Sequence, residues 1–188
     1  MRIVGGAFKG RPLAAPRGRA TRPTSDRARE AVFNILAHAP WAPPLDGARV
    51  IDLFAGSGAL GFEALSRGAA FCLFVETDAA ARGAVRENAE RLDVLGAVRV
   101  HRRDAAELGA KPAGLGPPFD LAFLDPPYRQ GLAPRALARL RAGGWLAPDA
   151  LLLVETAEEE DALELSEFET VDARRYGPAR VSFLKRTG

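Results

Sequence analysis

From residue 48 onward, short apolar runs alternate with stretches of helical periodicity. The apolar runs are nearly continuous, which is typical of strands that are buried on both faces of a sheet. Alternation of strand and helix predicts an α/β fold with a parallel, doubly wound sheet. The predicted strands cover residues 49–54, 70–76, 97–101, 119–125, 150–155, 167–174 and 180–185, and the predicted helices cover 59–67, 78–92 and 134–141.

The last two predicted strands flank Tyr176-Gly177-Pro178 and are expected to form a closing hairpin. A hairpin pairs its strands in opposite directions, so part of the sheet must be mixed. We therefore expect a mostly parallel, seven-stranded sheet with an antiparallel edge strand.

Residues 1–44 differ from this pattern and are predicted to form a basic N-terminal extension to a domain at 45–188. Glycines and prolines interrupt residues 1–23, which predicts an irregular or hairpin unit. A helix is expected to begin near Ser25-Asp26 and to end before Pro40, Pro43 and Pro44.

The first 40 residues carry eight arginines or lysines and two acidic residues. This excess of positive charge suits a polyanionic partner, and the alternative is a solvated arm without a partner. The candidate nucleic-acid contacts are Arg2, Lys9, Arg11, Arg17, Arg19 and Arg22.

A glycine-rich segment, Asp52-Leu53-Phe54-Ala55-Gly56-Ser57-Gly58-Ala59-Leu60-Gly61, joins the first predicted strand to the next helix. The spacing of its three glycines is that of nucleotide-binding loops, where they allow a sharp turn, close approach of a ligand and tight helix–sheet packing. The free N–H groups of the following helix would favour an anionic group. This indicates a nucleotide-type ligand, and the alternative is a purely structural tight turn.

Three acidic residues lie where strands are predicted to end. Glu76 could accept hydrogen bonds from both hydroxyls of a ribose, which fits a nicotinamide dinucleotide as well as S-adenosylmethionine. Asp104 could accept from an adenine amino group, cap the residues after it, or do both. Asp52 could reach the ligand or shape the glycine loop, and the sequence leaves this open.

The fourth predicted strand ends in Asp125-Pro126-Pro127-Tyr128, at the edge of the sheet where ligands bind in such folds. A plain strand terminator would explain the prolines but not the flanking residues. Asp125 and the Pro126 carbonyl could accept the two hydrogens of an exocyclic amine, and Tyr128 could stack on the base. This arrangement suits methyl transfer to an amine on a base that has left its stack.

The glycine-rich segment resembles motif I of class I S-adenosylmethionine-dependent methyltransferases, and Asp125–Tyr128 resembles motif IV of their amino-methylating members. Met1-Arg2-Ile3-Val4-Gly5-Gly6, Lys9-Gly10-Arg11 and the segment 22–30 resemble the bacterial 16S ribosomal RNA guanine-N(2) methyltransferase family. The resemblance implies a Rossmann-like fold, S-adenosylmethionine as cofactor, and a guanine of 16S ribosomal RNA, on the assembled or assembling 30S subunit, as substrate.

The resemblance also implies roles for individual residues. The implied cofactor contacts are Asp52, Ala55, Gly56, Ser57, Gly58, Glu76, Thr77, Asp104, Ala105 and Asp125. The implied catalytic residues, which would hold the guanine, are Asp125, Pro126, Pro127 and Tyr128.

Other functions stay open at this point: a DNA adenine amino-methyltransferase, an NAD-dependent oxidoreductase, and a non-catalytic RNA-binding assembly factor. A single cysteine, Cys72, and two separated histidines give no expectation of a disulfide or a metal site. No apolar stretch approaches the roughly 20 residues that cross a bilayer. A cytoplasmic monomer without membrane contact is therefore expected.

Overall fold

The structure is a computed structural model that describes residues 1–16, 26–160 and 166–187. Its helices are α1 (Asp26–His38), α2 (Ala59–Ser66), α3 (Ala79–Leu92) and α4 (Leu132–Ala142). Its strands are β1 (Arg49–Leu53), β2 (Phe71–Val75), β3 (Val98–His101), β4 (Phe119–Leu124), β5 (Leu146–Ala157), β6 (Phe168–Tyr176) and β7 (Ala179–Arg186).

The seven strands form one sheet in the order β3-β2-β1-β4-β5-β7-β6. The first five strands in this order pair in parallel, whereas β7 is antiparallel to both β5 and β6. The prediction of a mostly parallel sheet with an antiparallel edge is confirmed. The strand order reverses between β1 and β4, and such a switch point opens a crevice at the carboxyl ends of the strands.

Two elements begin earlier than the sequence predicts. Helix α4 begins at Leu132, before Pro134, because proline is tolerated in the first turn, where its missing N–H would have no partner in the helix. Strand β5 begins at Leu146, which pairs with Phe119, and a register shift between Phe119 and Leu121 accommodates the extra residues. Apolar periodicity had indicated only the buried part of β5, from Ala150.

Each parallel strand sends alternate side chains to opposite faces of the sheet. Val50 and Phe123 belong to the apolar layer beneath α1, α2 and α3, whereas Ile51 and Ala122 belong to the layer beneath α4. Both layers consist of buried apolar side chains, which explains why the strands are continuous apolar runs in the sequence. Cys72 is fully buried in the first layer.

Residues 1–16 fold back as an irregular hairpin in which Ile3 N donates to Arg11 O at 3.0 Å and Gly10 N donates to Ile3 O at 2.8 Å. The hairpin lies against α2, where Ala7 N donates to Ser66 O at 2.7 Å. Gly6 has φ +74°, and a Cβ there would lie 1.9 Å from the same oxygen, so a side chain would force the hairpin away from α2.

The described part of the N-terminal extension shares the core of the rest of the chain. Ile3 and Leu13 of the hairpin and Phe33 of α1 are buried in the same apolar layer as Val50 and Phe123. The boundary between residues 44 and 45 stays a prediction. Among the described helices, none combines the length and apolarity needed to span a membrane.

Candidate active site

A cleft of about 780 Å³ lies at the carboxyl ends of β1, β2, β4 and β5. Its volume is in the range of small-molecule sites. Asp125, Pro126, Pro127 and Tyr128 line it, as do all of the predicted cofactor residues except Gly58. The fold thus gathers the predicted site residues, which extend over 76 positions from Asp52 to Tyr128, around one space.

The glycine loop between β1 and α2 is built from left-handed backbone. Phe54 has φ 60°, Gly56 φ 54° and Gly58 φ 81°. For an aromatic residue such as Phe54 this conformation is unusual, and such strain concentrates at functional sites. Gly56 has open space at its Cβ position, on a stretch of backbone that lines the cleft, so a ligand could approach it closely.

Gly58 and Gly61 serve packing. A Cβ at Gly58 would lie 2.8 Å from the ring of Phe62 and 2.9 Å from that of Phe74, and one at Gly61 would lie 2.3 Å from the Phe74 ring. The sequence had led us to expect close approach of the ligand at the second glycine and helix–sheet packing at the third. In the structure both glycines allow α2 to lie tightly on β2, because Phe74 occupies the space beside them.

Asp52, buried at the end of β1, shapes the glycine loop. Its Oδ2 accepts from Gly61 N at 3.0 Å, which satisfies a first-turn N–H of α2. Burial raises the pKa of this carboxyl well above its usual range; the Gly61 N–H opposes the rise, and the charges of Asp125 and Glu76 add to it. Asp52 also lines the cleft. The structural role left open by the sequence is therefore present, and direct ligand contact stays a prediction.

Glu76 joins the ends of β1 and β2. Its Oε2 accepts from Gly56 N at 2.9 Å, and its Oε1 accepts from Asp78 N at 2.8 Å. A carboxylate offers about four lone-pair sites, so two backbone bonds leave acceptor capacity on a group that is already oriented. This capacity, at the edge of the cleft, suits the hydroxyls of a ribose.

Asp104 follows β3 and caps a short 3₁₀ turn, Ala105–Glu107, through a bond from Ala106 N to Oδ1 at 2.8 Å. It also lines the cleft. The capping role expected from the sequence is confirmed. Asp104 also has a second carboxylate oxygen, and the residue faces the cleft in which a ligand would bind. Contact with an adenine stays a prediction.

On the other side of the cleft, β4 and β5 run side by side, with Leu124 paired to Val154. Asp125 and Glu155 are the next residues of the two strands, and both line the cleft. Tyr128 donates its hydroxyl hydrogen to Glu155 Oε1 at 2.6 Å. Burial, followed by the charge of Glu155, raises the pKa of Asp125 to about 8.

Sequence reasoning missed Glu155. The signal was available, because Glu155 directly follows the buried apolar run Ala150–Val154, as Asp125 directly follows β4. Only the strand order, however, makes β5 the neighbour of β4. Tyr128 and Glu155 therefore could not be paired from spacing alone.

The N-terminal hairpin and α1 also reach the cleft, through Met1 and Arg29. Met1 Sδ lies 3.8 Å from Ser57 Oγ of the glycine loop. Arg29 is 1% exposed and bonds to Asp26 at 2.8 Å, with the buried Glu63 of α2 at 3.8 Å. Glu63 in turn accepts from Val4 N at 2.8 Å, so this arginine belongs to a buried network and not to a phosphate-binding surface.

Of the candidate nucleic-acid contacts, Arg2, Lys9 and Arg11 are exposed. Arg2 lies 3.4 Å from Asp26, and the Arg11 guanidinium donates to the Arg91 carbonyl. Exposed Arg103, which the sequence did not single out for this role, lines the cleft itself. Arg17, Arg19 and Arg22 lie outside the described residues.

Comparison with known proteins agrees with this geometry. The family model described as Conserved hypothetical protein 95 matches residues 1–185. Ribosomal RNA small subunit methyltransferase D of Escherichia coli K12 is 42% identical over 159 residues, which cover 85% of this chain and 76% of that protein. YlbH of Bacillus subtilis 168 is 35% identical over 189 residues and covers 100% of both chains. The solved structure of Escherichia coli yhhF has a TM-score of 0.81 and 34% identity, covering 99% of this chain and 97% of that one.

Proposed function

Since this chain belongs to the Conserved hypothetical protein 95 family, we propose that it transfers a methyl group from S-adenosylmethionine to the exocyclic 2-amino group of one guanine in 16S ribosomal RNA. The coarser activity, methyl transfer to ribosomal RNA, rests on the relatives. One observation carries the finer proposal: Asp125–Tyr128 faces the same cleft as Glu76 and Asp104. A base held by the first group would meet a nucleotide cofactor held by the other two.

The residues of the cleft fit S-adenosylmethionine. Glu76 would hold the ribose, Asp104 the adenine, and Gly56 with Ser57 the methionine part, because Gly56 leaves open space where a side chain would stand. When bound, this cofactor supplies an electrophilic methyl group on a positively charged sulfur. Gly58 packs against Phe62 and Phe74 and does not line the cleft, and its contact with the cofactor stays a prediction.

The base side of the cleft would act by positioning. The exocyclic amine of guanine is a poor nucleophile because its lone pair is delocalised into the ring. Asp125 and the Pro126 carbonyl would accept its two hydrogens and localise the lone pair toward the methyl donor. Tyr128 would stack on the flipped-out base, a contact worth roughly 1–3 kcal/mol. The amine loses its proton during or after formation of the nitrogen–carbon bond, so positioning and electrostatics carry the reaction.

The exposed cations Arg2, Lys9, Arg11 and Arg103 would contact phosphates of the RNA, and of these four Arg103 lines the cleft itself. An NAD-dependent oxidoreductase would account for the glycine loop and Glu76, but it would give the residues Asp125–Tyr128 no functional role. The DNA alternative shares the chemistry and differs only in substrate, so an experiment must separate the two. A silent RNA-binding factor would leave the cofactor cleft without use.

The test supplies methyl-labelled S-adenosylmethionine with three acceptors: 30S particles reconstituted on unmodified 16S transcript, the naked transcript, and duplex DNA. Digestion to nucleosides then identifies the labelled base. We expect label in 2-methylguanosine from the RNA, and a difference between particle and naked transcript reports whether ribosomal proteins present the base. Label in DNA adenine would show that the substrate is DNA and not ribosomal RNA. Binding of S-adenosylmethionine without label in any acceptor would contradict the proposal.

A further inference from the structure

Strand order brings a second acidic residue to the base side of the cleft. Leu124 and Val154 pair across β4 and β5, so the residues that follow them, Asp125 just after β4 and Glu155 still within β5, lie side by side. Both face the cleft. Two carboxyl groups side by side on adjacent parallel strands repel each other when both are ionised, and carboxyls perturbed in this way concentrate at functional sites.

Tyr128 links the two strands. Its hydroxyl donates to Glu155 Oε1 at 2.6 Å, a length typical of a hydroxyl bonded to a carboxylate. Tyr128 follows Asp125 by three residues in the sequence. The next residue of the same loop, Arg129, has φ 61°. Glu155 anchors the Tyr128 hydroxyl from a strand inside the sheet, outside the loop that carries the ring.

We propose that Glu155 is a positioning residue of the methyl-transfer site, which fixes the ring of Tyr128 for stacking on the base and acts electrostatically on Asp125. The assignment of the stacked base as guanine rests on the proposed function, whereas the two contacts of Glu155 do not. Glu155 touches neither the transferred methyl group nor the amine in this assignment, and it acts through its two neighbours.

The electrostatic action has a definite direction. The charge of Glu155 makes ionisation of Asp125 more costly, and with burial it raises the pKa of Asp125 to about 8. Asp125 must be ionised to accept a hydrogen bond from the amine in competition with water. The rate of methyl transfer should therefore rise with pH through this range. Among the described residues, the other charged or titratable groups around the same cleft are the α-amino group of Met1 and the side chains of Arg29, Asp52, Glu76, Arg103, Asp104 and Tyr128. All of them are unchanged when Glu155 alone is replaced.

The first test measures ionisation of Asp125 directly. Protein carrying ¹³C-labelled aspartate carboxyl groups is titrated by NMR, and the Asp125 signal is assigned by its loss in Asp125→Asn. In Glu155→Gln, which keeps the shape and can still accept from Tyr128, we expect the pKa of Asp125 to fall by about one pH unit. The acidic limb of single-turnover transfer should move by the same amount.

The second test separates the ring contact from the charge. Glu155→Ala and Tyr128→Phe each break the bond between these residues, and each should raise KM for the RNA about 10-fold with a smaller change in kcat. Because both variants remove the same bond, the double variant should lose little beyond either single one. Glu155→Gln should retain KM close to that of the wild type.

Glu169→Gln is the matched control, because it removes the same charge from an exposed residue of edge strand β6 and should move neither the titration nor KM. An unchanged pKa of Asp125 in Glu155→Gln, or additive losses in the double variant, would overturn the inference. The titration needs no RNA. A shifted titration together with absence of transfer to any RNA would therefore contradict the proposed function and leave the electrostatic part of this inference intact.

Discussion

At the ends of β1 and β2, Glu76 accepts two backbone N–H groups at 2.9 and 2.8 Å, whereas at the ends of β4 and β5 the carboxyl of Asp125 lies in a desolvated position beside the acidic Glu155. On the first side, neutral donors hold the Glu76 carboxylate and leave it oriented for a ligand, although burial raises the pKa of the nearby Asp52 as it does that of Asp125. The second side opposes ionisation of its carboxyl. Ordinary hydrogen bonds thus hold Glu76, the proposed ribose ligand, whereas the carboxyl proposed to bind the reacting amine, that of Asp125, is held in an unfavourable state that costs stability.

The largest expected effect lies on the base side. Asp125→Ala should lower single-turnover methyl transfer about 100- to 1,000-fold, because it removes an acceptor that acts on the reacting amine. The affinity for S-adenosylmethionine should stay within about threefold, as measured by calorimetric titration. Asp149→Ala, at an exposed aspartate of β5, is the control and should behave as wild type. Retained transfer in Asp125→Ala would remove the proposed difference between the two sides.

On the cofactor side we expect a smaller effect of another kind. Glu76→Ala should weaken S-adenosylmethionine binding about 10- to 100-fold, since losing a carboxylate that holds both the loop and the ligand costs about 1–3 kcal/mol. Transfer at saturating cofactor should fall less. Glu76→Gln, which can still accept through its amide oxygen, should lie between the wild type and Glu76→Ala. Equal losses in affinity and in saturated rate would show that Glu76 takes part in the chemistry.

The smallest expected effect is on the stability of the folded protein. Its sign differs between substitutions on the base side and on the cofactor side of the cleft. The pKa of Asp125 in the folded protein, about 8, lies above its ordinary value of 3.8, so the folded state binds more protons than the unfolded state between these values. Stability is therefore highest, with respect to this group, below about pH 4 and is lost as the pH rises through 8. Asp125→Asn removes the ionisation, so its melting temperature should exceed that of the wild type by several degrees above pH 8.

Calorimetry between pH 5 and 9 checks this expectation. The difference between Asp125→Asn and the wild type should shrink toward pH 5, and Glu169→Gln should show no such trend. Glu76→Ala should be less stable than the wild type throughout this range, because Gly56 N and Asp78 N lose their acceptor. A constant difference for Asp125→Asn across the whole range would mean that the carboxyl of Asp125 is not held neutral by the fold.

Several parts of the site could be predicted because local chemistry is enough to recognise them. A carboxylate at the end of an apolar run, such as Glu76, and a rigid strand end, such as Asp125-Pro126-Pro127, are read from adjacent residues. Glu155, Arg29 and Met1 reach the same cleft from other elements, and no spacing in the sequence links them to it. The packing role of Gly58 likewise depends on Phe74, which comes from the next strand.

The sequence by itself determined the kinds of element, the parallel sheet, and the residues that close β1, β2 and β4, because burial on both faces and backbone chemistry act over a few neighbouring residues. Only the tertiary structure decided which strand ends stand side by side, and with them the pairing of Tyr128 with Glu155 and the raised pKa of Asp125. Those properties depend on distances across the sheet and on exclusion of water. Both quantities come into existence only when segments far apart in the sequence pack together.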